Sequence, residues 1–142
     1  GWRTWENILN IYNNTNYKFY HIGSKYNKTD GNVNYISYSY SDNGVNTAPK
    51  ILIDNKIDIV ILWSLIPESY SYTLYEAIAS GCFLITNKLS GNIAYEINKL
   101  GIDFGIVLEN EEMLIQLLND NPKLISLIKN KKKKLYKLES NY

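Results

Sequence analysis

The sequence predicts an α/β domain built on a doubly wound parallel sheet. Three observations carry that reading. Helical and strand patterns alternate along most of the chain, as in repeated strand–helix units. The run Asp58–Trp63 is apolar after its first residue, as expected of a strand covered by helices on two faces. Glycines at 23, 81, 91 and 101 fall at the breaks between these segments.

Taken in order, Trp5, Ile8, Leu9 and Tyr12 share one face of a helix, which the turn formers Asn13–Asn16 end. Tyr17–Ile22 is aromatic-rich and reads as a strand closed by Gly23-Ser24. A polar loop leads to a second strand, Val33–Tyr38, and Ser39–Asn46 reads as another loop. Ala48–Lys56 is a short helix before the strand Asp58–Trp63. Tyr72–Ser80 is a helix stopped by Gly81, and Phe83–Thr86 a short buried strand. Gly91 turns into a helix that ends near Leu100-Gly101, and Phe104–Leu108 is the last strand. Glu111–Leu118 and Pro122–Leu138 are amphipathic helices, with Pro122 suited to a first helical turn.

Composition narrows the class. The 142 residues match one domain, a size that buries roughly 68–70% of the unfolded surface. A net charge of +1 gives no general attraction to nucleic acid or to an acidic membrane. No apolar run approaches the ~20 residues that span a bilayer. Cys82 is the one cysteine and His21 the one histidine, so neither an internal disulfide nor a His/Cys metal cluster is expected. The expectation is a single cytoplasmic, metal-free domain over residues 1–142. The chain opens on Gly1 rather than Met, so it is expected to be processed, trimmed or part of a longer protein.

In open parallel sheets, ligands bind beyond the carboxyl ends of the strands. The richest such place follows Asp58–Trp63. Glu68 sits in the loop, and Ser69, Ser71 and Thr73 crowd the start of the next helix. Hydroxyls there cap free backbone N–H groups, and the same N–H groups suit a pyrophosphate. Glu76 lies about one turn into the helix, placed to accept hydrogen bonds from a diol such as ribose.

Glu68 and Glu76, with seven residues between them and Ala77-Ile78-Ala79-Ser80-Gly81 after, resemble the Glu-x7-Glu signature of retaining family 4 glycosyltransferases. The stretch from Pro67 to Ala77 is similar to that family's Pro-Glu–Ser-rich–Glu-Ala form almost position for position, and weaker similarity runs from Trp5 to Leu108. The resemblance implies the Rossmann-like C-terminal half of a GT-B fold, the nucleotide-sugar-binding domain of a larger two-domain enzyme. It implies that Glu68 contacts hydroxyls of the donor sugar near the reacting carbon. Backbone N–H groups of Ser69, Tyr70 and Ser71 would hold the sugar and, with Tyr72 and Thr73, the diphosphate. Glu76 would hold the ribose, and Gly91 resembles a loop glycine that lies against the donor. The implied reaction is retaining hexosyl transfer from a nucleotide sugar to a glycan or other acceptor, with no cofactor and no required metal. The implied partners are the donor, the acceptor and an N-terminal acceptor domain, with no nucleic acid.

The sequence departs from the family in three places. The spacing from Gly91 to Glu96 is a residue longer here than in the family, which leaves Glu96 without a carried-over role. Gly81-Cys82-Phe83-Leu84 stands where the family has Gly-x-Pro-Val, a packing change. No strand precedes Trp2, whereas the family places a first strand followed by an Arg and a Lys there. The resemblance therefore implies that this strand lies upstream of Gly1. It predicts four or five parallel strands with a gap between Tyr17–Ile22 and Asp58–Trp63, and under-buried helix faces at Trp5, Ile8, Leu74 and Ile78. An isolated chain of this kind should be marginally stable and transfer no sugar.

Plainer readings stand beside these. Ser69, Ser71 and Thr73 could serve only as caps, which use the same atoms. His21 reads as a satisfied core histidine and Cys82 as a buried small hydrophobe. Tyr38 and Tyr40 follow the second strand, near where the family's base would lie, but 13 tyrosines make coincidence the better account. Lys131–Lys134 could give peripheral contact with the inner face of a membrane, though a solvated helix end is the simpler reading. As a whole function, a non-catalytic nucleotide- or sugar-binding module is the alternative to an enzyme. An unrelated flavodoxin-like module is disfavoured by the lack of an acidic cluster or phosphate loop at the first strand end.

Overall fold

The computed structural model describes residues 1–12, 15, 17–24, 33–130 and 138–139. Its elements alternate as anticipated: α1 (Trp2–Ile11), β1 (Phe19–Ile22), β2 (Val33–Ile36), α2 (Tyr40–Asn43), α3 (Thr47–Asp54), β3 (Ile59–Leu62), α4 (Tyr72–Ser80), β4 (Phe83–Asn87), α5 (Asn92–Leu100), β5 (Gly105–Leu108), α6 (Glu111–Asn119) and α7 (Asn121–Asn130). Every strand pairing is parallel. The strands form two small sheets, β1-β2 and β3-β4-β5.

The period of two along β3 and β4 sorts their side chains onto two faces. Ile59, Ile61, Phe83 and Ile85 join a core with Ile8 and Tyr12 of α1, Leu114, Leu117 and Leu118 of α6, and Leu124 of α7. Val60, Leu62 and Leu84 pack on the other face against Leu74 and Ala77 of α4 and Ile93 and Ile97 of α5. This two-sided cover is why the strands are apolar runs rather than alternating ones. Phe83, Leu84 and Ile85 are completely enclosed, each contributing about 1.5–3 kcal/mol of burial.

Local signals set the helix ends. Ser71 accepts a hydrogen bond from the Leu74 amide at 3.4 Å, and Gly81 closes α4 at φ 78°, a left-handed turn that favours glycine. Asn110 caps α6 in the same way, accepting from Met113 N at 3.0 Å. Tertiary hydrogen bonds tie α1 to α6: the Tyr12 hydroxyl donates to Asn119 Oδ1 at 2.7 Å, and Asn7 Nδ2 to Glu111 Oε1 at 2.7 Å.

The structure revises several boundaries. The stretch expected as loop from Ser39 to Asn46 contains the single turn α2. The strands β1 and β2 are shorter than the expected Tyr17–Ile22 and Val33–Tyr38. The last helix is described only to Asn130, and Lys131–Lys134 and Leu135 lie outside the described residues. Among the described residues β1 and β3 do not pair: they belong to different sheets. Both are half-buried along their whole length, whereas β4 is buried throughout. The under-buried helix faces are only partly as expected. Trp5 and Ile78 are half-buried, but Ile8 and Leu74 are 1% and 0% exposed. Ile8 reaches the α6–α7 side of the core, and Leu74 is sealed by Leu84, Ile93 and Ile97, so neither depends on a neighbour between β1 and β3.

Among the described residues no helix is long and apolar enough to cross a membrane.

Candidate functional site

A cavity of about 280 Å³ opens at the carboxyl end of β3. Trp63, Ser64, Glu68, Thr73, Ile93 and Gly1 line it. It is therefore bordered by the β3–α4 loop, by the first turn of α4 and by Gly1, the N-cap of α1. Gly1 is pressed against the end of β3, since a Cβ built there would lie 2.0 Å from the Trp63 carbonyl oxygen. Two helix N-termini thus meet one cavity, and their free N–H groups and dipoles favour an anion there.

Buried polar side chains fix the loop that carries Glu68. Thr86 donates to the Leu62 carbonyl at 2.6 Å, at the last residue of β3. Asn87 Nδ2 donates to the Ser64 carbonyl at 2.8 Å, while its Oδ1 accepts from Leu89 N at 2.8 Å. The Ser90 hydroxyl donates to the Asn87 carbonyl at 2.7 Å. All three side chains are enclosed, at 0%, 2% and 0% exposure. Polar groups so buried are retained because each is hydrogen-bonded.

Glu68 itself is held through its backbone. Its amide donates to the Ser90 carbonyl at 3.4 Å, and its carbonyl accepts from Asn92 N at 2.8 Å. Gly91 lies between, as the partner of Glu68 in an isolated parallel bridge. A Cβ at Gly91 would meet Glu68 O at 2.7 Å and Glu68 N at 2.8 Å, and its φ is +62°. Gly91 therefore has a structural reason for being glycine: it lets the loop after β4 clasp the loop after β3.

The expected site residues separate into groups. Glu68 and Thr73 share the cavity. The hydroxyls of Ser71 and Thr73 lie 2.8 Å apart, with Ser71 buried as the cap. Ser69 and Tyr70 are exposed in the loop, and Tyr72 is exposed at the start of α4. The Tyr70 ring stacks on Tyr75 at 5.2 Å and meets Tyr72 edge-on at 5.1 Å. Glu76 is one turn beyond Thr73 and only 5% exposed.

The Glu76 carboxylate accepts a hydrogen bond on Oε1 from the Tyr38 hydroxyl at 2.7 Å. Burial raises its pKa above the ordinary carboxylate value, and the Tyr38 hydrogen bond partly counters that rise. In the sequence Tyr38 is one of 13 tyrosines. Its only signal was its place after β2, beyond the carboxyl end of a parallel strand. The Thr86–Asn87–Ser90 clamp also went unread, because its meaning lies in contacts with a loop more than 20 residues away.

His21 is half-buried at the surface of β1 rather than in the core: Nε2 lies 3.2 Å from the Ser24 carbonyl, and its ring meets Trp2 and Tyr35, each at 5.8 Å. Cys82 is buried and its thiol donates to the Ile57 carbonyl at 3.1 Å. Among the described residues no group of three or more His, Cys, Asp or Glu is placed to hold a metal ion.

Fold and site together define an α/β protein of parallel strand–helix units, with a polar cavity at the carboxyl end of a strand. No protein-family model, curated protein or solved structure matches the chain.

Proposed function

We propose that the chain is the donor-binding part of a retaining glycosyltransferase, taking a sugar from a nucleotide sugar and passing it to a glycan or similar acceptor. The observation that carries the reading is the cavity at the end of β3, where Glu68 meets the first turn of α4. In this reading the amides at the start of α4 hold the diphosphate, Glu68 binds donor-sugar hydroxyls, and Glu76 takes the ribose. The glycosidic C–O bond to the diphosphate breaks, and the diphosphate leaves with the electron pair. The acceptor oxygen bonds to the same face of the sugar and gives its proton to the oxygen of the departing diphosphate. The helix N-termini at the cavity favour the charge that develops on the leaving group, the kind of preorganised electrostatics that contributes most to many enzymes. No metal is needed in this scheme.

The sheet arrangement supports a doubly wound, Rossmann-like order of β2-β1, a further strand, then β3-β4-β5. Such a strand would pair both open edges and make β3 central. Acceptor contacts would come from another domain of the GT-B pair.

The test is calorimetric titration of the protein with UDP-, GDP- and ADP-sugars. Micromolar to millimolar binding of one of them, weakened about 1.5–3 kcal/mol by Glu76→Ala, is the expected result. Absence of binding to any nucleotide sugar would overturn the reading. Binding with no turnover when the acceptor domain is present would favour the non-catalytic module instead.

A further inference from the structure

We propose that Tyr38 is a positioning residue for Glu76 that makes the nucleoside end of the site selective for ribose over 2′-deoxyribose; this rests on the donor-binding reading above. Glu76 is nearly enclosed, and a carboxylate in that setting needs a donor to hold its charge and its orientation. Tyr38, two residues after β2, supplies it, its hydroxyl donating to Oε1 at 2.7 Å. Among the described residues Oε2 carries no hydrogen bond, and it is not fully sealed from solvent. One oxygen is thus fixed by the protein and the other is left as an acceptor.

The placement gives that acceptor a direction. Thr73 lines the cavity, and Glu76 follows it by three residues on α4, so the two lie on the same side of the helix. A diphosphate at the first turn of α4 would therefore put its ribose beside Glu76, on the side where Tyr38 closes the carboxylate. With Oε1 already occupied, Oε2 is the atom left to accept from the ribose. A ligand lacking the 2′-hydroxyl loses a donor at an oxygen whose orientation it cannot adjust. Without the Tyr38 hydroxyl the carboxylate is free to turn and the discrimination fades.

The experiment titrates the full chain with UDP, GDP and ADP, and with the 2′-deoxy form of whichever binds. Wild type should prefer the ribonucleotide about tenfold, the scale of one hydrogen bond to a charged group. Tyr38→Phe keeps the ring and should bind the ribonucleotide several-fold more weakly, with the deoxy form changed much less, so the preference falls towards unity. Tyr38→Phe on a Glu76→Ala background should have no further effect. Equal losses for ribo and deoxy forms, or tighter binding in Tyr38→Phe, would overturn the proposal, the first marking a packing role and the second a competing hydroxyl. If Glu76→Ala leaves the affinity unchanged, it is the donor-binding reading beneath it that fails.

Discussion

Gly91 closes on the backbone of Glu68, with its missing Cβ the only room between the two loops. The contact couples the end of β4 to the residue that the cavity shares with α4. Glu68 is then placed by peptide groups, and among the described residues its carboxylate has no hydrogen-bond or ion-pair partner, which leaves it to a ligand. Replacing Gly91 by Ala imposes a clash with Glu68 O at 2.7 Å and a left-handed φ of +62°. Gly101 is a fitting control, since its φ is +92° but nothing lies within 4 Å of the added carbon. Gly101→Ala should cost about 1–3 kcal/mol from backbone strain alone, since φ 92° with ψ 176° is a region that glycine almost alone adopts. Gly91→Ala should cost more and should also weaken ligand binding at the cavity. Urea denaturation of both variants, with a nucleotide-sugar titration, checks the pair; equal losses in stability would remove the clasp argument.

Asn87 is the second support of that loop. It is 2% exposed and bridges Ser64 O and Leu89 N. Asn87→Ala leaves both groups without that partner, and each buried unpaired group costs about 1–3 kcal/mol. The expected loss is about 2–4 kcal/mol by denaturant midpoint. Asn87→Asp should be comparably harmful, because a carboxylate oxygen then faces the Ser64 carbonyl. A loss under about half a kcal/mol, the range of an ordinary surface change, would mean water replaces the bridge.

How much of this was legible in sequence depends on how local the cause is. The helix α4 was read from Tyr72 to Ser80 because Ser71 and Gly81 mark its ends within a residue or two of themselves. The strand β3 was legible because both its faces are apolar. The Glu68–Thr73 cavity followed from placing that loop beyond a parallel strand. The Tyr38–Glu76 bond was not legible, since two residues 38 apart meet only once β2 and α4 are placed. Nor was the full burial of Ile8 and Leu74, which is decided by helices late in the chain and by β4 rather than by their own faces.

Glu76 should make stability depend on pH in a definite direction. Burial raises its pKa above the ordinary 4.5, so the folded state disfavours the ionised carboxylate more than the unfolded chain does. Below the unfolded value both states are protonated and the penalty is absent. As pH rises through the ordinary value towards the raised folded one, the unfolded chain loses its proton first, and this residue's contribution to stability falls. Above the folded value the penalty is constant. Glu76→Gln removes it and keeps an oxygen for the Tyr38 hydroxyl, so the variant should melt higher than wild type at pH 7. The gain should vanish by about pH 4. Thermal melts across that range check it, and a variant less stable at pH 7 would contradict the assignment.

Glu68→Gln separates holding the donor from helping it react. If Glu68 binds donor-sugar hydroxyls more strongly in the transition state, the amide should lower kcat more than it raises the donor KM. Initial rates of the complete enzyme over a range of donor concentrations measure the split. Wild-type turnover would leave Glu68 as a loop acid only.

Among the described residues β1 and β3 each have an unpaired edge, and the hydrogen-bond phase of each strand says which amides lie on it. The Phe83 amide donates to the Asp58 carbonyl, so even-numbered residues of β3 direct their backbone groups to β4. Backbone groups alternate edges along a strand, which turns those of Ile59 and Ile61 the other way. The Gly23 amide donates to the Ile36 carbonyl, so Phe19 and His21 face β2 while Tyr20 and Ile22 face away. Neither set has a ladder partner in the two sheets. Trp5 points to the same region: its ring meets Phe19 at 5.7 Å, and its buried Nε1 has no acceptor among the described residues. Unpaired strand groups away from water cost free energy, and exposed ones template association with other chains. In native-state hydrogen exchange the Ile59, Ile61, Tyr20 and Ile22 amides should therefore exchange far faster than those of Val60 and Leu62. The protein should also self-associate as its concentration rises. Strong protection at Ile59 and Ile61 in dilute solution would show that the edge is covered, and the open-edge account of this fold would fail.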